Sequence, residues 1–354
     1  MSYYSITHVS MKSRALLSEV DALLKQEGIK RDANLDYICA MTDEEGRVIA
    51  TGSCYGNTLR CFAVSSAHQG EGLLNEIISH LINYQYERGI THLFLYTKVS
   101  TARFFGDLGF HEIARVKDTL VFMENNARGF SSYLEKLQKE TPSEALASEG
   151  KRVGALVMNA NPFTLGHRYL AETAARACDI LHLFVVSENA SLVPQKVRKE
   201  LVAAGVRDLP NIVLHDSGPY IISSATFPSY FLKDESAVIE GHAKLDLAIF
   251  ARIGEALHLN CRFVGEEPHS LVTGIYNDIM RAELPAVGID CVIVPRKELD
   301  GRPISASDAR KALQDGDWQT FRRLVPDTTY DYFTSPEAAP VLERIRKAGN
   351  VIHY

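Results

Sequence analysis

Residues 153–179 read VGALVMNANPFTLGHRYLAETAARACD, an apolar run followed by a polar turn and then by apolar residues at helical spacing. Similar apolar runs follow, separated by helical patterns: ILHLFVVS, NIVLHDS, NCRFVGEE and CVIVPRKE. Short apolar runs that alternate with helical patterns are typical of βαβ units and a parallel sheet. The C-terminal part of the chain is therefore predicted to be a doubly wound, Rossmann-like α/β domain.

The sequence before residue 127 has a different pattern. Residues 35–65 alternate apolar and polar side chains, with turn signals that suit an antiparallel meander. A helical pattern, LLNEIISHLINYQYERG, comes next, and THLFLYT and HEIARVKDTLVFMEN supply further strands. We therefore predict an α+β domain over residues 1–126, a linker with a short helix over 127–150, and the parallel-sheet domain with a C-terminal helical extension over 151–354.

Composition excludes several classes of protein. The chain has 44 acidic and 38 basic residues, a net charge of -6, and no dense Lys/Arg run that could follow a nucleic acid backbone. It has no stretch of about 18 apolar residues, and the N-terminus lacks the apolar region of a signal peptide. The six cysteines are scattered without a Cys-x-x-Cys spacing. We expect a soluble, cytoplasmic protein with reduced thiols and neither a nucleic acid nor a membrane partner.

The turn after the first parallel strand carries a Thr-x-Gly-His motif, from Thr164 to His167. Ligands bind at the carboxyl ends of parallel strands, where a helix N-terminus offers free N–H groups to a phosphate. A hydroxyl and an imidazole that flank Gly166 can point at one phosphate, and the glycine would let a nucleotide approach the backbone. We expect Asn159 and Phe163 beside the same nucleotide. The alternative is that Thr164 only caps the helix and that His167 is a solvated residue of its first turn.

A second motif, PISASDAR at residues 303–310, follows the strand CVIVP and opens another helix. Ser305 or Ser307 can cap this helix, while exposed N–H groups and Arg310 face a phosphate. Capping alone is the alternative.

Two other segments follow predicted strands and could add to a nucleotide site. Lys196 and Arg198 come after the second strand, where they either contact phosphates or are ordinary solvated charges. Gly265 and Glu267 begin a segment that ends in Tyr276-Asn277 and lies where the nucleotide base would sit, although it could be a plain loop.

Together the two motifs resemble the T-x-G-H and I-S-x-T/S-x-x-R pair of the nucleotidyltransferase superfamily, which shares its architecture with class I aminoacyl-tRNA synthetases. The resemblance implies in-line attack of an acceptor oxygen on the α-phosphorus of ATP, with no covalent protein intermediate. It implies that Thr164 and His167 stabilise the α-phosphate and that Arg310, with Ser305 and Ser307, holds the departing phosphates. Mg²⁺ would be bound mainly through the ATP phosphates, with no dedicated set of metal ligands in the protein.

The first domain contains a glycine-bearing turn between a strand and a helix, at Gln69 to Leu74. Its glycines can present backbone N–H groups to a pyrophosphate. The turn, the order of elements and the segment ARFFGDLGF resemble the GNAT acetyltransferase superfamily, whose acyl-CoA loop reads Q/R-x-x-G-x-G/A. The resemblance implies that Gln69, Gly70, Gly72 and Leu73 bind a CoA-like arm, although Leu74 stands where the family has Gly or Ala. The alternative is a fold kept only for protein docking. Glu71, Glu76 and Tyr96 are each candidates for a general base, and none is singled out.

The segments NPFTLGH, FPSYFLKDE, ISASDAR and GEEPHSLVT go further and are similar to the citrate lyase ligase family over nearly the whole chain. The resemblance implies an ATP-dependent, AMP-forming ligase that activates acetate as acetyl-adenylate. The acetyl group would pass to the CoA-like thiol of the citrate lyase acyl carrier subunit, with release of AMP and pyrophosphate. Phe163, Phe227 and Tyr230 could form walls of the acetate pocket or belong to ordinary packing.

Two other functions are compatible with the motifs. An adenylyltransferase could act on a phosphate-bearing acceptor such as phosphopantetheine or a mononucleotide, and pyrophosphate release that depends on such an acceptor would favour it. A regulatory module could sense acetyl-CoA and bind nucleotide without turnover, but the presence of Thr164, His167 and Arg310 argues against it.

Overall fold

The computed structural model describes residues 4–146, 150–188, 191–221, 235–266 and 271–348. These residues form two compact units. The first contains the described residues up to 130 together with 235–245, and the second contains those of 131–221 and 246–348. The domain limits expected at residues 126 and 150 stay a prediction. The assignment of residues 235–245 to the first unit was not expected from the sequence.

The described part of the first unit contains a seven-stranded sheet in the order β1-β2-β3-β4-β5-β7-β6. Neighbouring strands are antiparallel, except that β4 and β5 are parallel. The strands are β1 (Ile6–His8), β2 (Tyr37–Thr42), β3 (Val48–Tyr55), β4 (Thr58–Val64), β5 (Phe94–Thr97), β6 (His111–Val116) and β7 (Leu120–Glu124). The helices are α1 (Arg14–Gln26), α2 (Leu73–Glu87) and α3 (Ala102–Asp107). The predicted meander and the helix after it are confirmed.

The strands β4 and β5 stay paired only at their beginnings. Thr58 pairs with Phe94 and Leu59 with Leu95, and the ladder between the two strands ends there. Helix α2 packs on the sheet through Ile77 and Leu81, which lie in the same buried core as Leu95. The two strands therefore separate toward their carboxyl ends while α2 covers the sheet.

The second unit begins with two helical segments and continues into a parallel sheet. The first helices are α4 (Gly129–Glu140), which begins just before this unit, and α5 (Ser143–Leu146). In the described residues the sheet has five parallel strands in the order β10-β9-β8-β11-β12. They are β8 (Val153–Met158), β9 (Ile180–Val185), β10 (Ile212–Asp216), β11 (Cys261–Gly265) and β12 (Asp290–Val294).

Helices follow the strands of this unit, and further helices form its C-terminal extension. A hairpin, β13 (Glu298–Leu299) and β14 (Arg302–Pro303), follows β12. The helices are α6 (Leu165–Arg176), α7 (Gln195–Val206), α8 (Glu235–Leu257), of which residues up to 245 belong to the first unit, α9 (Leu271–Glu283), α10 (Ala306–Asp315), α11 (Trp318–Leu324), α12 (Asp327–Thr334) and α13 (Ala339–Lys347). None of the described helices is long and apolar enough to cross a bilayer.

The central strands are buried, which explains why their sequences are continuously apolar. All residues of β9 are buried, and Leu156 of β8 joins Leu183 of β9 and Phe263 of β11 in one core that also includes residues of α6 and α7. Full burial of such a side chain contributes about 1.5–3 kcal/mol. The predicted architecture, an α+β domain followed by a doubly wound parallel-sheet domain, is confirmed. The six cysteines are all described and are free thiols.

Candidate active site

A cavity of about 840 Å³ opens at the carboxyl ends of β8, β11 and β12. It is lined by the last residue of each of these strands: Met158, Gly265 and Val294. The chain runs from β8 outward to β9 and β10 on one side, whereas β11 and β12 lie on the other side. The cavity is therefore at the switch point of the sheet, where ligands bind in open α/β folds.

Thr164 and His167 hold each other at the start of α6. Thr164 is the N-cap residue, and its hydroxyl accepts a hydrogen bond from the backbone N–H of His167 at 3.4 Å. In return, Nδ1 of His167 accepts the backbone N–H of Thr164 at 3.1 Å and lies 2.9 Å from Oγ1. This is a capping box in which histidine replaces the usual Glu or Gln. The capping alternative is therefore observed, and the phosphate role of these two residues stays a prediction.

The same contacts set the protonation state of His167. Because Nδ1 accepts a backbone hydrogen bond, the proton of the neutral ring lies on Nε2. Burial, reinforced by the positive charges of Arg296 and Arg310, lowers the pKa of His167 to about 4. The ring is therefore neutral at pH 7 and can donate from Nε2. Both Thr164 and His167 line the cavity.

Gly166 has a packing role that the sequence did not reveal. A Cβ atom at this position would lie 2.9 Å from the backbone oxygen of Ile304. Ile304 belongs to the second motif, so the missing side chain lets the first turn of α6 approach the backbone before α10. The expectation that the glycine makes room for a nucleotide is not tested by this contact, but Gly166 does line the cavity.

The polar side chains of the second motif have two roles: they cap α10 and they contact the loop that carries the first motif. Ser305 is the N-cap of α10 and accepts the backbone N–H of Asp308 at 3.0 Å. Arg310 is largely buried and donates both to the backbone oxygen of Asn161 and, at 3.0 Å, to Oγ of Ser307. Burial lowers the pKa of Arg310 to about 10, so its guanidinium stays charged at pH 7. Arg310 thus ties α10 to the loop after β8 and lines the cavity with Ser305 and Ser307.

Basic residues that follow β12 also line the cavity, and they were not predicted from the sequence. Arg296, Lys297 and Arg302 line the cavity with Arg310, and Asp308 is the one carboxylate among the described lining residues. Arg296 is held by a hydrogen bond from Nε to the backbone oxygen of Glu266 at 2.8 Å. Their position directly after a parallel strand, in PRKELDGR, was a signal that could have identified them. The described wall therefore favours a polyanion.

Two residues predicted to bind the nucleotide lie elsewhere. The structure places Phe163 in the core, fully buried, with its ring against Gly205 of α7. The side chain of Lys196 is 86% exposed on the first turn of α7, with Glu200 as an ion-pair partner at 4.0 Å, and does not line the cavity. The described cavity brings together Asn159, Thr164, Gly166, His167, Gly265, Ser305, Ser307 and Arg310. Glu267, Phe227 and Tyr230 lie outside the described residues.

Tyr276 and Asn277, which end the segment expected near the base, make buried polar contacts. Tyr276 donates its hydroxyl to Asp246 at 2.5 Å, and Asp246 also accepts from both terminal nitrogens of Arg262 at 3.1 Å. Asn277 donates to the backbone oxygen of Gly265 at 3.2 Å. Neither residue is among the described lining of the cavity. Asn277 therefore supports the end of β11, where Gly265 does line it.

The described residues contain no cluster of three or more His, Cys, Asp or Glu side chains that could hold a metal ion. Asp308 alone contributes a carboxylate to the described cavity wall, and its Oδ2 accepts from Ser305 at 2.7 Å. A divalent cation bound here would obtain most of its oxygen ligands from water and a substrate.

A second cavity, of about 680 Å³, opens in the first unit where β4 and β5 separate. It is lined by Gln69, Gly70, Gly72 and Leu73, the residues that the sequence predicted to bind a CoA-like arm. Gly70 and Gly72 have φ angles of 89° and 81°, a conformation that other residues rarely adopt, and Gly72 caps α2. The loop thus depends on its glycines.

Leu74 and the candidate general bases differ in their position relative to this second cavity. Leu74 lines the cavity and packs partly against the core, so its side chain takes up space where the GNAT pattern has Gly or Ala. Tyr96 also lines the cavity, whereas Glu71 and Glu76 are not among the described lining residues. Glu71 instead contacts His68 at 3.1 Å. Only Tyr96 of these candidates is placed to contact a ligand here.

Several known proteins are similar to this chain over part or nearly all of its length. Residues 153–333 match the family model described as the C-terminal domain of citrate lyase ligase. The citrate (pro-3S)-lyase ligase of Haemophilus influenzae is 38% identical over 323 residues, which cover 89% of this chain and 94% of that protein. The Escherichia coli protein of the same name is 38% identical over 332 residues, 92% of each chain. A solved GNAT acetyltransferase from Staphylococcus aureus is 16% identical, with 35% of this chain and 98% of that chain covered and a TM-score of 0.30.

Proposed function

This chain belongs to the citrate lyase ligase family, and from that premise we propose that it activates acetate with ATP and transfers the acetyl group to a CoA-like thiol of citrate lyase. The observation that carries this proposal is the cavity at the switch point of the parallel sheet. Thr164, His167 and Arg310 line it, and basic side chains outnumber the single described carboxylate. Such a wall suits the triphosphate of ATP.

In the first step, a carboxylate oxygen of acetate attacks the α-phosphorus of ATP, and the bond to the departing pyrophosphate breaks. The Nε2–H of neutral His167 would donate to an α-phosphate oxygen as charge develops there. Arg310, together with Ser305 and Ser307, would hold the leaving phosphates. Mg²⁺ would supply charge neutralisation while bound mainly to those phosphates.

In the second step, the thiol sulfur attacks the carbonyl carbon of acetyl-adenylate, AMP leaves, and the thiol proton passes to solvent or a base. The cavity beside Gln69, Gly70, Gly72 and Leu73 would hold the CoA-like arm that bears this thiol. Positive-φ glycines at the start of α2 favour pyrophosphate contact with backbone N–H groups. The acyl carrier subunit of citrate lyase is the proposed partner.

The test is the acetate-dependent exchange of labelled pyrophosphate into ATP, with Mg²⁺ and without carrier protein. Wild type should catalyse the exchange, and His167→Ala should lose about 10²–10³ in rate, as is typical for the loss of a transition-state donor. His111→Ala, at an exposed histidine of β6, is the matched control. An exchange rate that does not depend on acetate but requires a phosphate-bearing acceptor would refute acetate activation and favour an adenylyltransferase. If wild type catalyses acetate-dependent exchange, adding the thiol form of citrate lyase should release AMP.

A further inference from the structure

A fully buried guanidinium lies under the loop that follows β8. Arg198, on α7, donates to the backbone oxygens of Asn159 and Val186 at 2.8 Å and of Val193 at 3.1 Å. It also donates to the backbone oxygen of Glu188 at 2.5 Å. One charged side chain therefore joins the loop after β8 to the loop after β9. The solvated position that the sequence suggested for Arg198 is wrong, and Arg198 is not among the described residues that line the cavity.

Arg198 also makes one side-chain contact, with Asn159. Its Nη1 donates to Oδ1 of Asn159 at 2.8 Å. A guanidinium has no acceptor, so the atom of Asn159 that faces it must be the oxygen. This fixes an orientation of the carboxamide that would otherwise be ambiguous, because its oxygen and nitrogen have the same shape. The nitrogen Nδ2 must lie on the side away from Arg198.

Nδ2 of Asn159 has one hydrogen bond in the described structure, to Oγ of Ser191 at 3.1 Å. An amide nitrogen carries two protons, and no described residue accepts the second. Asn159 is exposed and lines the cavity of the second unit. An N–H donor is thus available at the end of β8, within the cavity where the phosphates of ATP are proposed to bind.

The loop that carries this amide is also held at Asn161. Oδ1 of Asn161 accepts the backbone N–H of Val193 at 3.0 Å, and its backbone oxygen accepts from Arg310. The segment between Asn159 and Asn161 is therefore fixed by one guanidinium from α7 and another from α10. Donors fixed in advance need no reorganisation when charge develops on a ligand, which makes them effective in catalysis.

We propose that Arg198 is a positioning residue that holds the carboxamide of Asn159 with an N–H directed to an anionic oxygen of the substrate. That oxygen belongs either to the carboxylate of acetate or to the α-phosphate of ATP. The inference rests on the proposed function for the identity of the ligands, and it adds the orientation of the donor and the residue that imposes it.

Asn159→Asp is the decisive variant, because it separates the two roles of this side chain. An aspartate keeps an oxygen toward Arg198 and replaces a neutral contact by an ion pair, so folding should be unharmed. It removes the N–H donor and places a negative charge beside an anionic ligand. We expect a melting temperature at or above that of wild type and a loss of about 10²–10³ in kcat/KM for acetate-dependent exchange. Wild-type kinetics in a folded Asn159→Asp protein would overturn the proposal.

Arg198→Lys tests the positioning step. An ammonium lacks the planar fork that reaches several oxygens, so the carboxamide should lose its fixed orientation. We expect exchange to fall by about 10–100-fold, since a misplacement near 1 Å can cost that much. Arg207→Lys, an exposed position at the end of the same helix, is the matched control. If Arg198→Lys does not fold, the kinetics of Asn159→Asp remain the test of the proposal.

The kinetic constants of Asn159→Asp identify the ligand oxygen. A raised KM for acetate indicates the carboxylate, and a raised KM for ATP, or a lowered kcat alone, indicates the α-phosphate. The stabilisation of each protein by ATP in a thermal unfolding experiment serves as a second measurement. If wild type shows no exchange, the proposed function fails, whereas weaker ATP stabilisation of Asn159→Asp than of wild type still supports the donor. Equal stabilisation in that case would overturn it.

Discussion

The ring nitrogen Nδ1 of His167 lies 3.1 Å from the backbone nitrogen of Thr164 and accepts its N–H, which leaves the ring proton on Nε2. Asparagine can reproduce the Nδ1 acceptor of histidine but has no atom at the position of Nε2. We therefore expect His167→Asn to keep the capping box and lose the Nε2–H donor. The exchange rate should fall by about 10²–10³, with little change in melting temperature.

His167→Ala is the comparison for this variant, because it removes the cap as well as the donor. It should unfold more easily than His167→Asn by about 1 kcal/mol, the usual contribution of a helix cap. Equal activity of His167→Asn and wild type would show that Nε2 has no part in the reaction.

The pH dependence of exchange follows from the neutral state of the same ring. Burial and the charges of Arg296 and Arg310 lower the pKa of His167 to about 4, so the donor form is present from neutral pH down to about pH 5. We expect no acidic limb near pH 6.5 in the pH profile of kcat. An inflection near 6.5 that disappears in His167→Asn would contradict this expectation.

Gly166→Ala should disturb the contact between the two motifs. The new methyl group would lie 2.9 Å from the backbone oxygen of Ile304, and backbone cannot move aside as a flexible side chain can. We expect a loss of about 1–3 kcal/mol in the free energy of unfolding, measured in urea, and a parallel loss of exchange activity. Gly274→Ala, in α9 with no atom within 4 Å of the added group, should be neutral or stabilising. Equal changes in unfolding free energy and exchange activity for both variants would show that the contact with Ile304 does not require a glycine at residue 166.

The loop at the start of α2 offers a test of the second cavity. Gly72 has a φ of 81°, so Gly72→Ala is strained by about 1–2 kcal/mol even though nothing lies within 4 Å of the new methyl group. We expect the KM for the carrier thiol to rise by far more than the KM for acetate or ATP. Gly106→Ala, in α3 and without a positive φ, is the control. A larger effect on exchange than on thiol transfer would argue against an arm bound in this loop.

A buried pair of histidines should make the second unit sensitive to acid. Nδ1 of His182 lies 2.9 Å from Nε2 of His215, whose Nδ1 contacts Glu140 at 2.8 Å. Burial, with His215 adding to the effect, lowers the pKa of His182 to about 3, whereas the unfolded residue titrates near 6.5. Between these values the unfolded state binds more protons, so stability is complete above pH 6.5 and falls as the pH drops.

The slope should reach about 1.4 kcal/mol per pH unit for each such histidine. His182→Asn removes one titrating group, so its unfolding free energy, measured in urea between pH 8 and pH 5, should depend less on pH than that of wild type. Identical slopes would show that this pair does not govern the acid sensitivity.

The part of the site that the sequence predicted consists of residues close together in the chain. The caps by Thr164 and Ser305 each join residues three positions apart, and helix geometry places such residues together wherever the helix lies. The continuous apolar runs likewise predicted buried parallel strands, because a strand covered on both faces needs no polar side.

Other residues could be interpreted only with the folded chain. Lys196 and Arg198 are two positions apart on one helix, about 200° around its axis, so one is exposed and the other is buried among backbone oxygens. Which side faces inward depends on how α7 packs against the sheet. The same holds for Phe163, which packs on Gly205. It also holds for the basic residues after β12, which line the cavity because β12 lies beside β11 in the sheet.

The sequence by itself determined the kinds of elements, the order of the two domains and the helix caps of both motifs. Tertiary structure alone decided why Gly166 must be glycine, where Arg310 anchors the loop after β8, and that Arg198 orients Asn159. The physical reason is the range of the contacts: local hydrogen bonds repeat with helix and strand periodicity, whereas contacts between distant segments depend on packing that no short stretch of sequence encodes.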